Sequence, residues 1–168
     1  PDIMADQFVP DGAAEAERRL LMDPARHVGA ALLDQTTVAG IGTMYMAETL
    51  FVQKVSPWTP IGEVDLPAAL ATARRLLLRG ATQAKPTTTG NPRRGLENWV
   101  HGRSGRSCQR CGTTVRVAMI GPPLKERTAF YCPHCQPGPT PTDDGRAQNP
   151  LGSNPGRRAD RRATGYRR

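Results

Sequence analysis

All four cysteines of the chain fall in two Cys-x2-Cys pairs, Cys108/Cys111 and Cys132/Cys135, with 20 residues between the pairs. No other feature limits the fold as tightly. Each pair makes a knuckle that offers two thiolates. The apolar runs Val115 to Ile120 and Thr128 to Tyr131 between them predict the two strands of a hairpin that joins the knuckles. Gly112, directly after the second cysteine, suits the tight turn. Four thiolates close a tetrahedral site, so one zinc ion held there is structural and keeps no open position for catalysis. Chelation also replaces the core that a segment of about 30 residues cannot build. Two disulfides, or a redox-active pair, are the alternatives. Against them stand the clustering of both pairs and an acidic start, Pro1 to Phe8, unlike an export signal. His134, between two ligands, reads as a solvent-facing or phosphate-contacting side chain rather than a fifth ligand.

Charge is distributed as unevenly as cysteine. The formal net charge of +8 comes from three unlike segments. Residues 1–73 carry four basic residues against ten acids, residues 74–136 twelve against two, and residues 137–168 seven against three. The basic surplus points to an anionic partner, nucleic acid before membrane surface. No apolar run approaches the roughly 20 residues of a membrane helix. The last segment has five Pro and five Gly, with Leu151 and Tyr166 its only large apolar residues. It cannot bury enough surface to offset its conformational entropy, so it is predicted to be a disordered basic tail. Its arginine pairs either add non-specific phosphate attraction or are simply solvated.

Helical signals fill the acidic part. Asp11 begins a helix through about Met22, and Asp23-Pro24 reads as an N-cap and first position of a second helix to Gln35. The segment Thr36 to Gly42 is too glycine-rich to stay helical. Thr43 is predicted to cap a third helix with Met44, Ala47, Leu50 and Phe51 on one face, ended by Ser56-Pro57. Asp65 caps a fourth, with Pro67 in its first turn and Leu66, Leu70, Ala73 and Leu77 along one side. Ala84 to Gly95 reads as loop, and Trp99 to His101 as the start of a short strand. The chain therefore divides into a helical domain (1–83), a loop or linker (84–98), a zinc finger (99–136) and the tail (137–168). The fold class is mainly α: a helical bundle, then a four-cysteine zinc β-hairpin.

Arg127 lies near the hairpin tip, with Arg103, Arg106, Arg110, Arg116 and Lys125 around the same unit. A metal-stapled hairpin carrying guanidinium groups presents forks to phosphate oxygens. The bland reading is a basic surface that keeps the protein soluble.

The run Leu32-Leu33-Asp34-Gln35-Thr36-Thr37-Val38-Ala39-Gly40-Ile41-Gly42-Thr43-Met44-Tyr45 to Phe51 resembles the helix–two-turn–helix signature of the formamidopyrimidine-DNA glycosylase and endonuclease VIII family. His101-Gly102-Arg103, Gly105 and Cys108-x2-Cys111-Gly112-Thr113 resemble that family's entry into its zinc finger. Arg127 with Phe130-Tyr131-Cys132-Pro133-x-Cys135-Gln136 resembles the exit. The resemblance covers about residues 1–136, with both motifs in the family's order. It implies a helix–two-turn–helix bundle and double-stranded DNA bearing a damaged or abasic site as partner. Gly40, Gly42 and Thr43 would form one phosphate clamp and Arg127 the other, with Arg103 and Lys125 adding contacts and Cys108, Cys111, Cys132 and Cys135 holding zinc. A Gly-x-Gly turn before a helix meets phosphate with backbone N–H groups at a positive dipole end, so an acidic half can still face DNA.

The sequence departs from the family pattern in several places. Thr43 stands where Asn is usual, His101 where Tyr is common, and the inter-knuckle spacing is longer, through Gly121-Pro122-Pro123-Leu124. Family members carry a preceding β-rich domain with an N-terminal proline nucleophile and a glutamate. Pro1-Asp2-Ile3-Met4 instead matches the family's linker into its second domain. The expectation is therefore the DNA-binding half of a bifunctional glycosylase/AP lyase, inactive alone, monomeric and cytoplasmic. Thr87-Thr88-Thr89-Gly90 and Arg93-Arg94-Gly95 before Trp99-Val100 are similar to actinobacterial endonuclease VIII-like proteins, which implies oxidised pyrimidines as the parent's substrates. Two other readings are a non-enzymatic zinc-containing nucleic-acid module and a zinc-ribbon protein-interaction domain.

Overall fold

The computed structural model describes residues 1–8 and 11–141. Its elements are α1 (Asp11–Leu20), α2 (Val28–Leu32), α3 (Thr43–Val52), α4 (Leu66–Thr82), β1 (Arg116–Ile120) and β2 (Arg127–Tyr131), with 3-10 turns at Asp6–Phe8 and Ile61–Glu63. The sequence-predicted tail falls almost wholly on residues 142–168, outside the described residues. Residues 137–141 are described, and the Ser56 hydroxyl donates to the Pro139 carbonyl.

The α4 start follows the sequence closely. Asp65 caps it by accepting from the Ala68 N–H at 3.0 Å, and Pro67 sits in its first turn. The second helix does not. It was predicted from Pro24, yet α2 begins only at Val28, because the preceding backbone pairs with a distant loop. His27 is extended and bridges to Pro60. The N–H groups of Val28, Gly29, Ile61 and Gly62 bond the carbonyls of Thr59, Pro57, Arg26 and Pro24, each at 2.9 Å. Those carbonyl and N–H groups are spent across the loop, so a helix through Pro24–His27 has nothing to gain. Trp99–His101 forms a turn rather than a strand.

Helix α3 is buried almost all round, from Met46 through Phe51. Its C-terminus closes with the Val55 N–H on the Leu50 carbonyl and the Lys54 N–H on the Phe51 carbonyl, a double-bonded cap that places Lys54 at φ 59°. The helix ends there, ahead of Ser56-Pro57.

Two apolar clusters meet at α3. Met46 and Leu50 pack with Val28, Leu32, Ile41, Leu66, Leu70 and Ile120. Ala47 and Phe51 pack with Val100, Val115, Val117, Phe130 and three of the cysteines. The antiparallel hairpin pairs Arg116 with Tyr131, Val117 with Phe130 and Ile120 with Arg127. Side chains alternate across its pleat, so Ile120, Ala129 and Tyr131 join the first cluster while Val117 and Phe130 join the second. A two-stranded hairpin alone is marginal in water. Here each face packs into one of the two clusters, with Met119 left exposed.

Candidate nucleic-acid interface and metal centre

The four cysteine Sγ atoms lie within 4.8 Å of one another, and none is in a disulfide. Cys108 Sγ is 3.9 Å from Cys135 Sγ, and Cys111 Sγ is 3.5 Å from Cys132 Sγ. A tetrahedral ion with sulfur ligands at about 2.3 Å separates them by roughly 3.8 Å, so the set is shaped for a metal and too wide for disulfides. Backbone N–H groups turn toward sulfur in both knuckles: Arg110 N to Cys108 Sγ at 3.4 Å and Cys135 N to Cys132 Sγ at 3.5 Å. Gly112 holds φ 80° at the first knuckle and bonds the Cys108 carbonyl. Burial pushes the Cys132 thiol up to about 11 and the Cys135 thiol further, while a hydrogen bond with the Thr113 side chain holds exposed Cys111 at about 6. Buried thiols of this kind become thiolates only when a cation neutralises them, which a bound metal does.

The two-turn segment is braced from inside. The Gln35 amide donates to the carbonyls of Leu33 and Ile41, at 3.2 and 2.9 Å, and its Oε1 accepts the Gly40 N–H at 3.0 Å. Asp34 accepts from the Thr36 hydroxyl and N–H and from Arg26 at 2.9 Å. The Thr36 hydroxyl and then Arg26 hold the Asp34 carboxyl down at about 2. Pro1 and Asp2 are taken up here too, since the Ala39 N–H bonds the Pro1 carbonyl and Asp2 bridges to Ala39.

The two glycines of the turn therefore differ. Gly40 sits at φ +103°, and a Cβ there would come within 2.9 Å of Ile3 Cγ2. Its N–H is used by Gln35, so Gly40 shapes the turn and does not offer that group to a ligand. Gly42 is exposed, with extended backbone, and a Cβ there would meet nothing within 4 Å. Gly42, not Thr43, is the N-cap of α3; Thr43 is the first helical residue and no side chain caps the end. The first-turn N–H groups have no intrahelical acceptor.

Arg127 and Lys125 are exposed and line one groove, of about 260 Å³, with Leu33, Asp34 and Gln35 of the turn and with Arg26. Gly40, Gly42 and Thr43 are not among the residues that line it. Arg103 departs from the expected contact role. It is 7% exposed, and its guanidinium donates to the carbonyls of Gly95 and Ser107. Arg110 is likewise occupied, lying over the rings of Phe51 and Trp99 at 4.2 and 5.4 Å.

Glu48 is a functional residue that no sequence motif marks. It is fully buried on α3, and its carboxylate accepts the Thr88 hydroxyl and the N–H groups of Trp99, Val100 and His101, the last three at 2.8, 2.9 and 2.9 Å. One acid thus carries the backbone that leads into the first knuckle. Its spacing gave a signal: four residues after Met44 and three before Phe51, it lies on the apolar stripe.

A helix, two turns, a helix and a cysteine-clamped hairpin on a shared core define the class of the formamidopyrimidine-DNA glycosylases. Residues 1–89 match the family model described as the formamidopyrimidine-DNA glycosylase H2TH domain, and the chain belongs to that family. It is 42% identical over 148 residues to the probable endonuclease 8 2 of Streptomyces coelicolor, covering 87% of this chain and 52% of that protein. It is 37% identical over 137 residues to the DNA-(apurinic or apyrimidinic site) lyase Nei2 of Mycolicibacterium smegmatis, covering 81% and 52%. The formamidopyrimidine-DNA glycosylase of Lactococcus lactis, solved bound non-covalently to DNA containing an AP site, shares the fold. Its TM-score is 0.65 at 21% identity, over 82% of this chain and 50% of that one. The chain spans about half the length of the curated relatives it matches. Among the described residues no helix is long and apolar enough to cross a membrane.

Proposed function

We propose that this chain is the DNA-gripping half of a bifunctional DNA glycosylase/AP lyase of base excision repair, acting as a cytoplasmic monomer on duplexes with an oxidised base or abasic site. One observation carries the reading: the exposed Arg127 and Lys125 of the hairpin share a groove with the turn segment that leads into the uncapped start of α3. Two anion-attracting features, a guanidinium fork and an open helix N-terminus, then hold successive phosphates from two directions. At Gly42 the protein itself tolerates a Cβ, so the use of glycine there is to let a phosphate approach the backbone. The resemblance to actinobacterial endonuclease VIII-like proteins supports oxidised pyrimidines as the lesion class.

Cys108, Cys111, Cys132 and Cys135 would hold one zinc ion, whose chemistry in this site is structural. Glu48, with Val100 and Phe130 packed in one cluster with Ala47 and Phe51, keeps the knuckles on α3, and Gln35 and Asp34 keep the turn rigid. The residues here bind and orient. Imine formation at the sugar C1′, base release and elimination are assigned to a Pro-Glu domain of the parent protein, and Pro1 to the segment that pairs with Ala39.

The test is binding of a duplex containing an abasic-site analogue, followed by fluorescence anisotropy across salt concentrations. Affinity should fall steeply with salt. Arg127→Ala should weaken binding on every sequence and lower the log–log salt slope by about one. An affinity unchanged by Arg127→Ala removes that residue from the clamp. Borohydride should fail to trap the chain on abasic DNA; efficient trapping through Pro1 would overturn the assignment of chemistry.

A further inference from the structure

Apart from the hairpin groove the molecule has a second basic hollow, which shares no lining residue with it. Arg94, Arg103 and Arg106 line this space of about 700 Å³, together with Glu97, Asn98 and His101. The volume falls in the range of small-molecule sites, roughly 300–1,000 Å³. Gly95 is part of its lining. Arg103 donates to the Gly95 carbonyl, the Arg106 guanidinium would lie 2.9 Å from a Cβ on Gly95, and the Gly95 N–H is bound by Glu97 at 2.6 Å. Two like charges thus converge on one glycine.

Neither arginine is in a direct ion pair among the described residues. Arg103 is more than nine-tenths buried, forms no ion pair among the described residues, and leaves its Nε without a hydrogen-bond partner. Its forks go to the Gly95 and Ser107 carbonyls, which fix the group in place, while Glu48 and Glu97 act on its charge from a distance without a direct ion pair. Glu97 is the one acid in the lining, and it is already bonded to the Gly95 N–H. Burial pushes the His101 imidazole below its usual range, so it is neutral near pH 7 and does not repel Arg94 or Arg106. The hollow therefore carries three guanidinium groups against one carboxylate.

The geometry points to a phosphate-binding pocket at Arg94, Arg103 and Arg106, separate from the Arg127 groove. Arg103 supplies a fixed field, and the exposed Arg94 and Arg106 supply forks able to close on a phosphate oxygen pair. A disordered or solvated basic surface needs no buried, unpaired arginine beneath it, and this is what separates the hollow from the rest of the basic segment. The phosphate is either that of a free mononucleotide or one on a nucleic-acid strand.

Isothermal titration of the full chain decides the matter, with inorganic phosphate, thymidine 5′-monophosphate and a short single-stranded oligonucleotide carrying or lacking a 5′-phosphate as probes. Saturable binding of inorganic phosphate and the monophosphate is expected. The double variant Arg94→Gln/Arg106→Gln, both positions exposed and so expected to fold, should weaken it at least tenfold. Glu97→Gln should tighten it. Preference for the 5′-phosphorylated strand over its unphosphorylated twin identifies the nucleic-acid source, and equal binding of the free phosphates identifies the small-molecule source. Arg127→Ala should leave phosphate and monophosphate binding intact while weakening duplex binding, so failure here is distinct from failure of the clamp. Kd values for phosphate and monophosphate that the double variant leaves within twofold, or no saturation by any probe, would overturn the pocket.

Discussion

Replacing Glu48 by glutamine tests how the two apolar clusters are tied together. The carboxylate is fully buried, with Oε2 accepting from the Thr88 hydroxyl and the Trp99 N–H and Oε1 from the N–H groups of Val100 and His101. A glutamine keeps one carbonyl oxygen, which can still serve Val100 and His101. Its NH2 then faces the Trp99 N–H, donor against donor, while the Thr88 hydroxyl can rotate to accept. One buried N–H is orphaned, at about 1–3 kcal/mol, and the two surviving bonds lose their charged partner. The expected loss is about 2–4 kcal/mol, with Glu48→Ala costing more because three N–H groups lose their acceptor. For a chain of this length that lowers the melting temperature by about 5–15 °C. Circular dichroism melting measures it, and a chelator-competition assay should show faster metal loss, since Val100 packs beside Cys108 and Cys132. A glutamine variant within about 1 kcal/mol of the parent chain would refute the reasoning, because the carboxylate would then not be the hub its four donors imply.

Other outcomes follow from the same geometry. Gly42→Ala should leave the melting point within the scatter of surface substitutions, about 0.5 kcal/mol, while reducing affinity for the abasic duplex. Gly40→Ala should destabilise by about 1–2 kcal/mol, because φ +103° and Ile3 both oppose a side chain; equal melting points for the two variants would undo the distinction. Removing metal by chelation should melt the hairpin and expose Phe130 and Val117, seen as lost hydrogen-exchange protection across residues 108–135 with α4 retained. Asp34 should titrate near 2 by carboxyl NMR, and a midpoint near the ordinary aspartate value would discount its bonds to Thr36 and Arg26. Because its folded pKa is depressed, its stabilisation is complete above about pH 4 and lost as pH falls through about 2.

Much of the local structure is legible from residues alone because its cause is local. Asp65 and Pro67 mark the start of α4, and the cysteine spacing with its apolar strands marks the hairpin to within one residue at each strand start. Where a distant segment competes for backbone hydrogen bonds, local signals mislead. Asp23-Pro24 looks like a helix start, yet Arg26 and Pro24 give their carbonyls to Ile61 and Gly62. Trp99–His101 has strand-like side chains, yet its N–H groups go to Glu48 rather than to a neighbouring strand.

The site divides the same way. Residue type and spacing pointed to the four-thiolate set, and resemblance to a family signature to the two-turn segment, because a knuckle and a glycine turn are each built from a few consecutive residues. Charge counts along the chain located the basic segment, but not which arginines are available. That depended on packing. Arg103 is committed beneath Gly95 and Arg110 to aromatic rings, while Arg127 stays exposed in the groove beside Gln35. The Gly40 N–H is spent on Gln35 while Gly42 is exposed with open space at its Cβ position, although only Ile41 separates the two glycines. Which groups remain free to meet a ligand is set by hydrogen bonds and burial between segments far apart in the chain, and no single stretch of sequence contains both partners.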